Sequence, residues 1–168
     1  MKTTISILTL FSTGLSAGLF YAWAVSVIPG TKRLADQGYL EAMQQINRAI
    51  LNPGFFAIFF GAMVLMLLSA YLEFKTDMGS SFYFTLAALI VYVVGTFGVT
   101  AAGNVPLNEA LDLIELNQLS LDELKITRQN YELKWNRLHH VRTACSVISF
   151  VLLLLAIRTP VQTNTTFI

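Results

Sequence analysis

The sequence predicts an all-α integral membrane protein, a four-helix bundle with two long helical connections on one side. Of its 168 residues, 55% are apolar and only 12% are charged, whereas soluble domains carry about 25% charged residues. Asp, Glu, Lys, Arg and His are absent from four stretches, 5–28, 54–72, 82–102 and 143–157. We therefore expect a single four-span domain over residues 1–168, with the lipid bilayer as its main partner. The net charge of +1 and the lack of a basic run exclude nucleic acid as an expected partner.

The first stretch is long enough to cross the hydrocarbon layer, about 30 Å thick, at about 1.5 Å per residue. Lys2 and the small residues Ala22 and Ala24 also fit a cleaved signal peptide. The length of the apolar run and the lack of a polar region before residue 28 favour a retained span. We expect Pro29 and Gly30 to end it.

The next elements follow from capping residues and periodicity. Residues 31–51 predict a short amphipathic helix, because apolar side chains recur at helical spacing. These are Leu34, Met43, Ile46 and Ile50. Asn52 is the predicted N-cap and Pro53 the first residue of span two. The short connection 73–81 makes spans two and three antiparallel, and Pro106 predicts the start of a helix over 107–116. We predict that no carboxylate falls within any span, which argues against a proton pump or an ion-coupled carrier.

The fourth stretch is too short to cross the bilayer. Its fifteen residues cover only about 22 Å as a helix. Ser120 and Glu123 form a capping box, and neither Gly nor Pro occurs between 108 and 158. We therefore predict one helix from about 121 to 157, whose span over 139–157 begins at His139.

Four crossings place both long connections on one side of the membrane. Eight of the eleven Lys and Arg residues belong to that side, which favours a cytoplasmic location for the long connections. The expected location is a bacterial inner or plasma membrane.

Eight polar or aromatic side chains are predicted at the long-connection end of the bundle. They are Asn47, Asn52, Asn104, Asn108, Trp135, His139, His140 and Arg142. Polar groups near hydrocarbon are costly unless they are paired or used, so the cluster suggests a site. The alternatives are interface anchoring for Trp135 and Arg142 and helix capping for Asn52 and Asn104.

The same end of the bundle is rich in aromatic residues. These are Phe20, Tyr21, Trp23, Phe55, Phe56, Phe59 and Phe60. They either pack and face lipid or form a flat apolar slot for a planar aromatic or quinone-like molecule.

Other motifs predict structure and no chemistry. Gly14 and Gly18 match both a nucleophile elbow and a close helix contact, and their place within a span favours the contact. The two histidines are adjacent on one helix and diverge by about 100°, so we predict no metal or haem site. Cys145 lacks a well-placed base and reads as an inert buried thiol.

The sequence resembles the anthrone oxygenase-like family, small four-span membrane proteins mostly described as a domain of unknown function. The resemblance lies in G-L-F-Y-A at 18–22, V-I-P-G at 27–30, A-M-Q-Q-I-N-R-A-I-L-N-P at 42–53, G-V-T at 98–100, N-V-P-L-N at 104–108 and W-N-R-L-H-H-V-R-T at 135–143. The family's last motif commonly reads Trp, three residues, Asn, two residues, Arg. Here Trp135 and Arg142 match, while His139 stands in place of the Asn.

The resemblance implies oxidation of an anthrone-like substrate by molecular oxygen without a metal or flavin. We then expect His139 or His140 to remove an acidic ring C–H proton and Arg142 to stabilise the enolate and reduced oxygen. The carboxamides of Asn52, Asn104 and Asn108 would bind substrate, and Trp135 would stack on its ring. The alternative is a non-enzymatic membrane protein that binds a lipophilic ligand or a partner protein.

Overall fold

A computed structural model describes residues 2–76 and 78–158, and in these residues all regular structure is helical. The first long helix consists of α1 (Lys2–Ala22), a π-helical segment (Trp23–Val27) and α2 (Ile28–Thr31). It is followed by α3 (Asp36–Ala49) and α4 (Pro53–Thr76). The third long helix consists of α5 (Ser80–Val91), π-helical segments Tyr92–Gly98 and Thr100–Asn104, and α6 (Val105–Asp112). A 3₁₀ turn (Leu116–Gln118) precedes α7 (Leu121–Arg158).

Four of these helices are long and apolar enough to cross a membrane, which confirms the predicted fold class. They cover Lys2–Thr31, Pro53–Thr76, Ser80–Asp112 and Leu121–Arg158. Large apolar side chains such as Phe11 and Val94 are exposed on their outer faces, as expected where lipid is the solvent.

The two predicted helix starts that depend on capping residues are confirmed. The Oδ1 atom of Asn52 accepts the N–H of Phe55 at 3.0 Å, so Asn52 caps α4 and Pro53 is its first residue. At α7 the Ser120 N–H donates to Glu123 Oε2 at 2.8 Å, and the Glu123 N–H lies 3.4 Å from Ser120 Oγ. This capping box opens a helix that continues without a break to Arg158.

Pro106 does not begin a new helix, which corrects the prediction, whereas the first long helix ends at Thr31, directly after the predicted Pro29 and Gly30. Pro29 lies in α2 and Pro106 in α6, and each follows a π-helical segment. There the Ile28 N–H bonds the Trp23 carbonyl and the Val105 N–H bonds the Thr100 carbonyl. Proline has no N–H and crowds the carbonyl four residues back. A wider π turn absorbs that mismatch and lets the helix continue. The helix after Pro106 also ends earlier than predicted, with Asp112 as its last residue.

The prediction that no carboxylate lies within a span is wrong. The helix α4 extends past the apolar stretch to Thr76, and Glu73 within it is buried. The apolar stretch ended at the first charged residue, but no Gly or Pro is present there to stop the helix.

On the long-connection side, α3 packs its apolar face over the end of the bundle. Tyr39, Leu40 and Met43 are buried together with Leu111 and Leu124, so the predicted amphipathic helix is present. It begins only at Asp36, however, and Leu34 lies outside it and is exposed.

An arginine fixes the loop before α3. Arg128 of α7 donates to the backbone carbonyls of Lys32 and Leu34 at 2.9 and 2.7 Å and to Asp36 Oδ1 at 3.0 Å. Its guanidinium also lies 4.5 Å from the centre of the Tyr39 ring. The loop and α3 are thereby held against the long last helix.

Glycines mark close contacts between helices. A Cβ atom on Gly95 would lie 2.2 Å from the Sγ atom of Cys145, and one on Gly14 would lie 3.0 Å from the Phe150 ring. The space next to Gly18 is open. Of the predicted glycine pair, therefore, only Gly14 makes a close contact.

Candidate functional site

The centre of the predicted cluster is a buried pair of basic side chains on α7. His139 is fully buried and Arg142 is 9% exposed. The Nε and Nη2 atoms of Arg142 lie 3.1 and 2.9 Å from the Nδ1 atom of His139. Among residues 2–76 and 78–158, no carboxylate forms an ion pair with Arg142. The guanidinium is therefore a buried cation whose anionic partner is absent from the described part of the chain.

The hydrogen bonds determine the tautomer of His139. A guanidinium only donates, so Nδ1 of His139 accepts from Arg142. In a neutral imidazole the proton is then on Nε2, which lies 3.1 Å from the Phe20 carbonyl oxygen and donates to it. Both ring nitrogens are thus occupied. His139 gains a free lone pair for a proton only when Arg142 moves off Nδ1.

Aromatic rings enclose the pair. The Trp135 ring is stacked on the His139 ring, with centres 5.1 Å apart and an angle of 6°. The guanidinium carbon of Arg142 lies 4.7 Å from the centre of the Phe20 ring and 5.1 Å from that of Trp135. Such contacts stabilise a cation through the negative faces of the rings. They stand in for the missing carboxylate only in part, because they do not neutralise the charge.

A chain of hydrogen bonds connects the cluster to the extramembrane cap. The Oδ1 atom of Asn108 accepts from Trp135 Nε1 at 2.8 Å and from the Tyr131 hydroxyl at 3.0 Å. The Asn47 side chain of α3 donates to the same hydroxyl at 3.0 Å. Asn108 therefore orients Trp135, and α3 is connected to the site through Tyr131.

Asn104 is fully buried beside Trp135 and does not cap the following helix. Its Nδ2 atom donates to the Trp135 carbonyl at 3.2 Å, while its Oδ1 atom has no hydrogen-bond partner. An unsatisfied buried acceptor is costly. Asn104 thus offers an unused acceptor close to the backbone of Trp135.

Two of the predicted site residues are not buried in this centre. Asn52 is exposed, and its carboxamide is used by the cap of α4 and by the Ala49 carbonyl. His140 is exposed, and its ring contacts the His139 ring from outside the buried pair, with ring centres 6.1 Å apart. The structure brings together Asn104, Asn108, Trp135, His139 and Arg142.

Three further residues belong to the centre and were not predicted as site residues. Trp23 contacts Trp135, with ring centres 5.9 Å apart, and its Nε1 atom is buried without a partner. Thr100 Oγ1 lies 3.4 Å from Arg142 Nη1, and Thr143 Oγ1 lies 3.2 Å from His139 Nε2. The aromatic residues ending span one were the available signal for Trp23. The threonines gave none, because threonine is common in spans.

The predicted aromatic slot is present only in part. Phe59 is buried under Phe20, with ring centres 6.1 Å apart, and Phe55 is stacked on Phe59 at 5.1 Å. Phe56 and Phe60 are exposed. The rings therefore form an apolar floor below Arg142.

The cluster is closed by its own side chains, because His139, Asn104 and Trp135 are all buried. An open cleft of about 670 Å³ lies outside it, between α3 and the turn at 114–118. A cavity of about 10 Å³ lies at the other end of the bundle. Neither space touches His139 or Arg142. Entry of a ring-sized molecule therefore requires a side chain such as Arg142 or Trp23 to move.

The donor set at this centre consists of an imidazole, a guanidinium, carboxamides and hydroxyls. Within the described ranges no three His, Cys, Asp or Glu side chains come together.

The family model described as anthrone oxygenase matches residues 55–152, more than half of the chain. The chain belongs to the anthrone oxygenase family. No curated protein and no solved structure matches it. In this anthrone oxygenase family member, the matched region contains Asn104, Asn108, Trp135, His139 and Arg142, while Trp23 and Asn47 lie before it.

Proposed function

We propose that the protein is a membrane oxygenase that converts a planar, anthrone-like substrate and molecular oxygen into a quinone and water, without a cofactor. The observation that carries the proposal is the buried Arg142 cation, hydrogen-bonded to the Nδ1 atom of His139 and lacking a carboxylate. An enolate oxygen supplies the missing anion. Membership of the family supports the class of reaction, whereas the use of His139 as the base is proposed for this chain alone, because the family commonly has Asn at this position.

The first step exchanges partners at Arg142. The guanidinium leaves His139 Nδ1 and binds the carbonyl oxygen of the substrate, which acquires negative charge as the ring C–H bond breaks. The freed Nδ1 lone pair accepts that proton. Because Nε2–H remains bonded to the Phe20 carbonyl, the imidazole keeps its orientation while it becomes an imidazolium. Substrate binding and activation of the base are thus one event.

The second step uses the electrons of the carbanion. The carbanion carbon forms a bond to oxygen, and the product peroxide anion takes the proton from the imidazolium. His139 then removes the remaining hydrogen from the same carbon, the C=O bond forms, and the O–O bond breaks to release hydroxide. That hydroxide and the proton held by His139 make water. One oxygen atom enters the ring and one leaves as water, and Arg142 stabilises each anion in turn.

The buried polar groups without partners support binding of a hydroxylated ring. The Oδ1 atom of Asn104 accepts a phenol O–H, and the Trp23 Nε1–H donates to a second oxygen. Asn108 keeps Trp135 in place and so acts as a positioning residue. Phe20 and Phe59 form the apolar floor beneath the ring.

Oxidation of emodin anthrone in air tests the proposal. The purified protein in a nonionic detergent is mixed with the anthrone, and quinone absorbance is followed against buffer and against an anaerobic sample. We expect oxidation faster than the uncatalysed background and dependent on oxygen. His139→Asn keeps a polar side chain at this position but removes the base, and we expect a fall of about 10²–10⁴-fold in rate.

Arginine variants form the matched pair. Arg142→Gln removes the anion partner and is expected to lower the rate by about 10²–10³-fold. Arg137→Gln changes an exposed arginine on the same helix and should leave the rate unchanged. Tryptophan fluorescence and thermal unfolding show whether each variant is folded. His140→Ala distinguishes the two histidines. We expect the oxidation rate to fall in His139→Asn and to remain unchanged in His140→Ala, because His139 is the proposed base.

A closed cluster also favours a second candidate, a non-enzymatic membrane protein in which these side chains only join the helices. A wild-type rate equal to background, or equal rates in wild type, folded His139→Asn and folded Arg142→Gln, would support that candidate and end the proposal.

A further inference from the structure

A second buried polar site lies at the opposite end of the bundle, around Glu73 of α4. Glu73 is only 4% exposed. Its Oε1 atom accepts the hydroxyl of Ser81 at 2.7 Å, whereas its Oε2 atom is buried without a hydrogen-bond partner. Glu73 and Arg142 lie towards opposite ends of the bundle, and Glu73 takes no part in the proposed reaction.

No cationic side chain among residues 2–76 and 78–158 pairs with Glu73. At this end of the bundle, Lys2 donates to the hydroxyl of Thr76, and Lys75 lies over the Tyr71 ring. A buried carboxylate without a counter-charge is strongly destabilising. A cation from solution can therefore serve as the counter-charge that these described residues do not provide.

The surroundings of Glu73 supply oxygen ligands from three helices. A small cavity of about 10 Å³ is lined by hydroxyl groups on α1, α4 and α5 as well as by the carboxylate. The polar residues lining it are Ser6, Thr9, Ser69, Glu73 and Thr85. Thr9 Oγ1 and Ser69 Oγ lie 2.8 Å apart, so two of these oxygens are held together across the α1–α4 contact.

The size and charge of the cavity select the occupant. It has room for about one water-sized particle, which excludes an organic amine. One carboxylate among neutral hydroxyl oxygens balances one positive charge. Divalent cations take six or more oxygen ligands or keep several waters, and the cavity has no room for these.

We propose that Glu73, Ser69 and Thr9 form a binding site for a small monovalent alkali cation of the sodium class. The ion neutralises the Glu73 carboxylate and joins α1, α4 and α5 at the end of the bundle remote from Arg142. The site stands independently of the proposed oxygenase activity, because it shares no residue with the His139 centre.

Thermal unfolding in different salts tests the site. The purified protein in a nonionic detergent is unfolded in sodium, potassium and N-methyl-D-glucamine chloride at equal ionic strength. We expect a higher Tm in sodium that saturates with concentration and no such rise with N-methyl-D-glucamine. Titration calorimetry with NaCl into protein in the glucamine buffer should give a saturable heat.

Three variants locate the effect. Glu73→Gln should abolish the sodium-dependent rise in Tm and the heat. Ser69→Ala, a milder change, should raise the half-saturating sodium concentration about tenfold, and it keeps the test usable where Glu73→Gln does not fold. Glu109→Gln neutralises an exposed carboxylate on α6 and should behave as wild type.

Equal Tm values in all three salts would overturn the proposal, as would an undiminished sodium effect in Glu73→Gln. A rise that the bulky glucamine cation reproduces would also overturn it, because that rise would reflect ionic strength alone.

Discussion

Gly95 lies where the third long helix contacts Cys145 of α7 most closely, and we expect Gly95→Ala to destabilise the protein. The added Cβ would lie 2.2 Å from Cys145 Sγ and 2.6 Å from Cys145 Cβ. The sulfur can rotate, but the Cβ atom is attached to the backbone of α7. Restoring a contact of 3.4 Å therefore requires the helices to separate by about 0.8 Å.

Two terms of opposite sign determine the stability of Gly95→Ala. Replacing a helical Gly by Ala raises the free energy of unfolding by about 0.5–1 kcal/mol, whereas overpacking of this kind lowers it by about 1–3 kcal/mol. We expect overpacking to prevail, with a net loss of about 1–2 kcal/mol. Gly18→Ala is the matched control, because the space beside Gly18 is open and only the favourable term remains.

The free energy of unfolding is measured by denaturant titration in mixed micelles, with tryptophan fluorescence as the signal. The chain has two tryptophans, Trp23 and Trp135, and both lie in the His139 centre. In the Gly95→Ala background, Cys145→Gly should restore most of the stability and Cys145→Ala should not, since only glycine removes the Cβ. Equal stability of Gly95→Ala and Gly18→Ala would refute this account of the contact.

Three further predictions concern single hydrogen-bonding groups, each measured by the same unfolding titration. Asn52→Ala removes the cap of α4 and should cost about 1 kcal/mol, and no change would show that the cap is dispensable. Arg128→Lys cannot reproduce the forked bonds to the loop before α3, so we expect a loss of about 1.5–3 kcal/mol with faster hydrogen exchange in that loop. Unchanged exchange would contradict it. Tyr92→Phe removes the hydroxyl that bonds Ser16 at 2.9 Å and the Phe59 carbonyl at 3.1 Å and should cost about 1–2 kcal/mol. A variant as stable as wild type would show that these buried groups find other partners.

Sequence patterns alone predicted the membrane bundle and the capped starts of α4 and α7. Uncharged stretches of spanning length require helices in lipid, because every backbone polar group must be bonded within its own segment. Asn52 and the Ser120 box were readable because caps act over three or four residues. The length of α7 was readable for the same reason, since a cap, the absence of breakers and a short apolar stretch are all local.

A proline and a charge misled where tertiary structure overrides local preference. Pro106 acts as a breaker in an isolated helix, but in the bundle a π turn accommodates it. Glu73 marked the end of an apolar stretch, yet the helix continues and buries it among hydroxyls of neighbouring helices. Neither outcome depends on residues close in sequence.

The composition of the candidate site divides in the same way. Helical spacing along α7 determined by itself that Trp135, His139 and Arg142 lie near one another and that His140 is rotated by about 100° from His139. Only the packing of α7 against the first and third helices decided that the Arg142 guanidinium is buried without a carboxylate. The same packing decided that the Phe20 carbonyl accepts a hydrogen bond from His139 Nε2 and that Trp23 contacts Trp135. These contacts join residues more than a hundred positions apart, and a periodic pattern within one helix carries no information about which neighbour it meets.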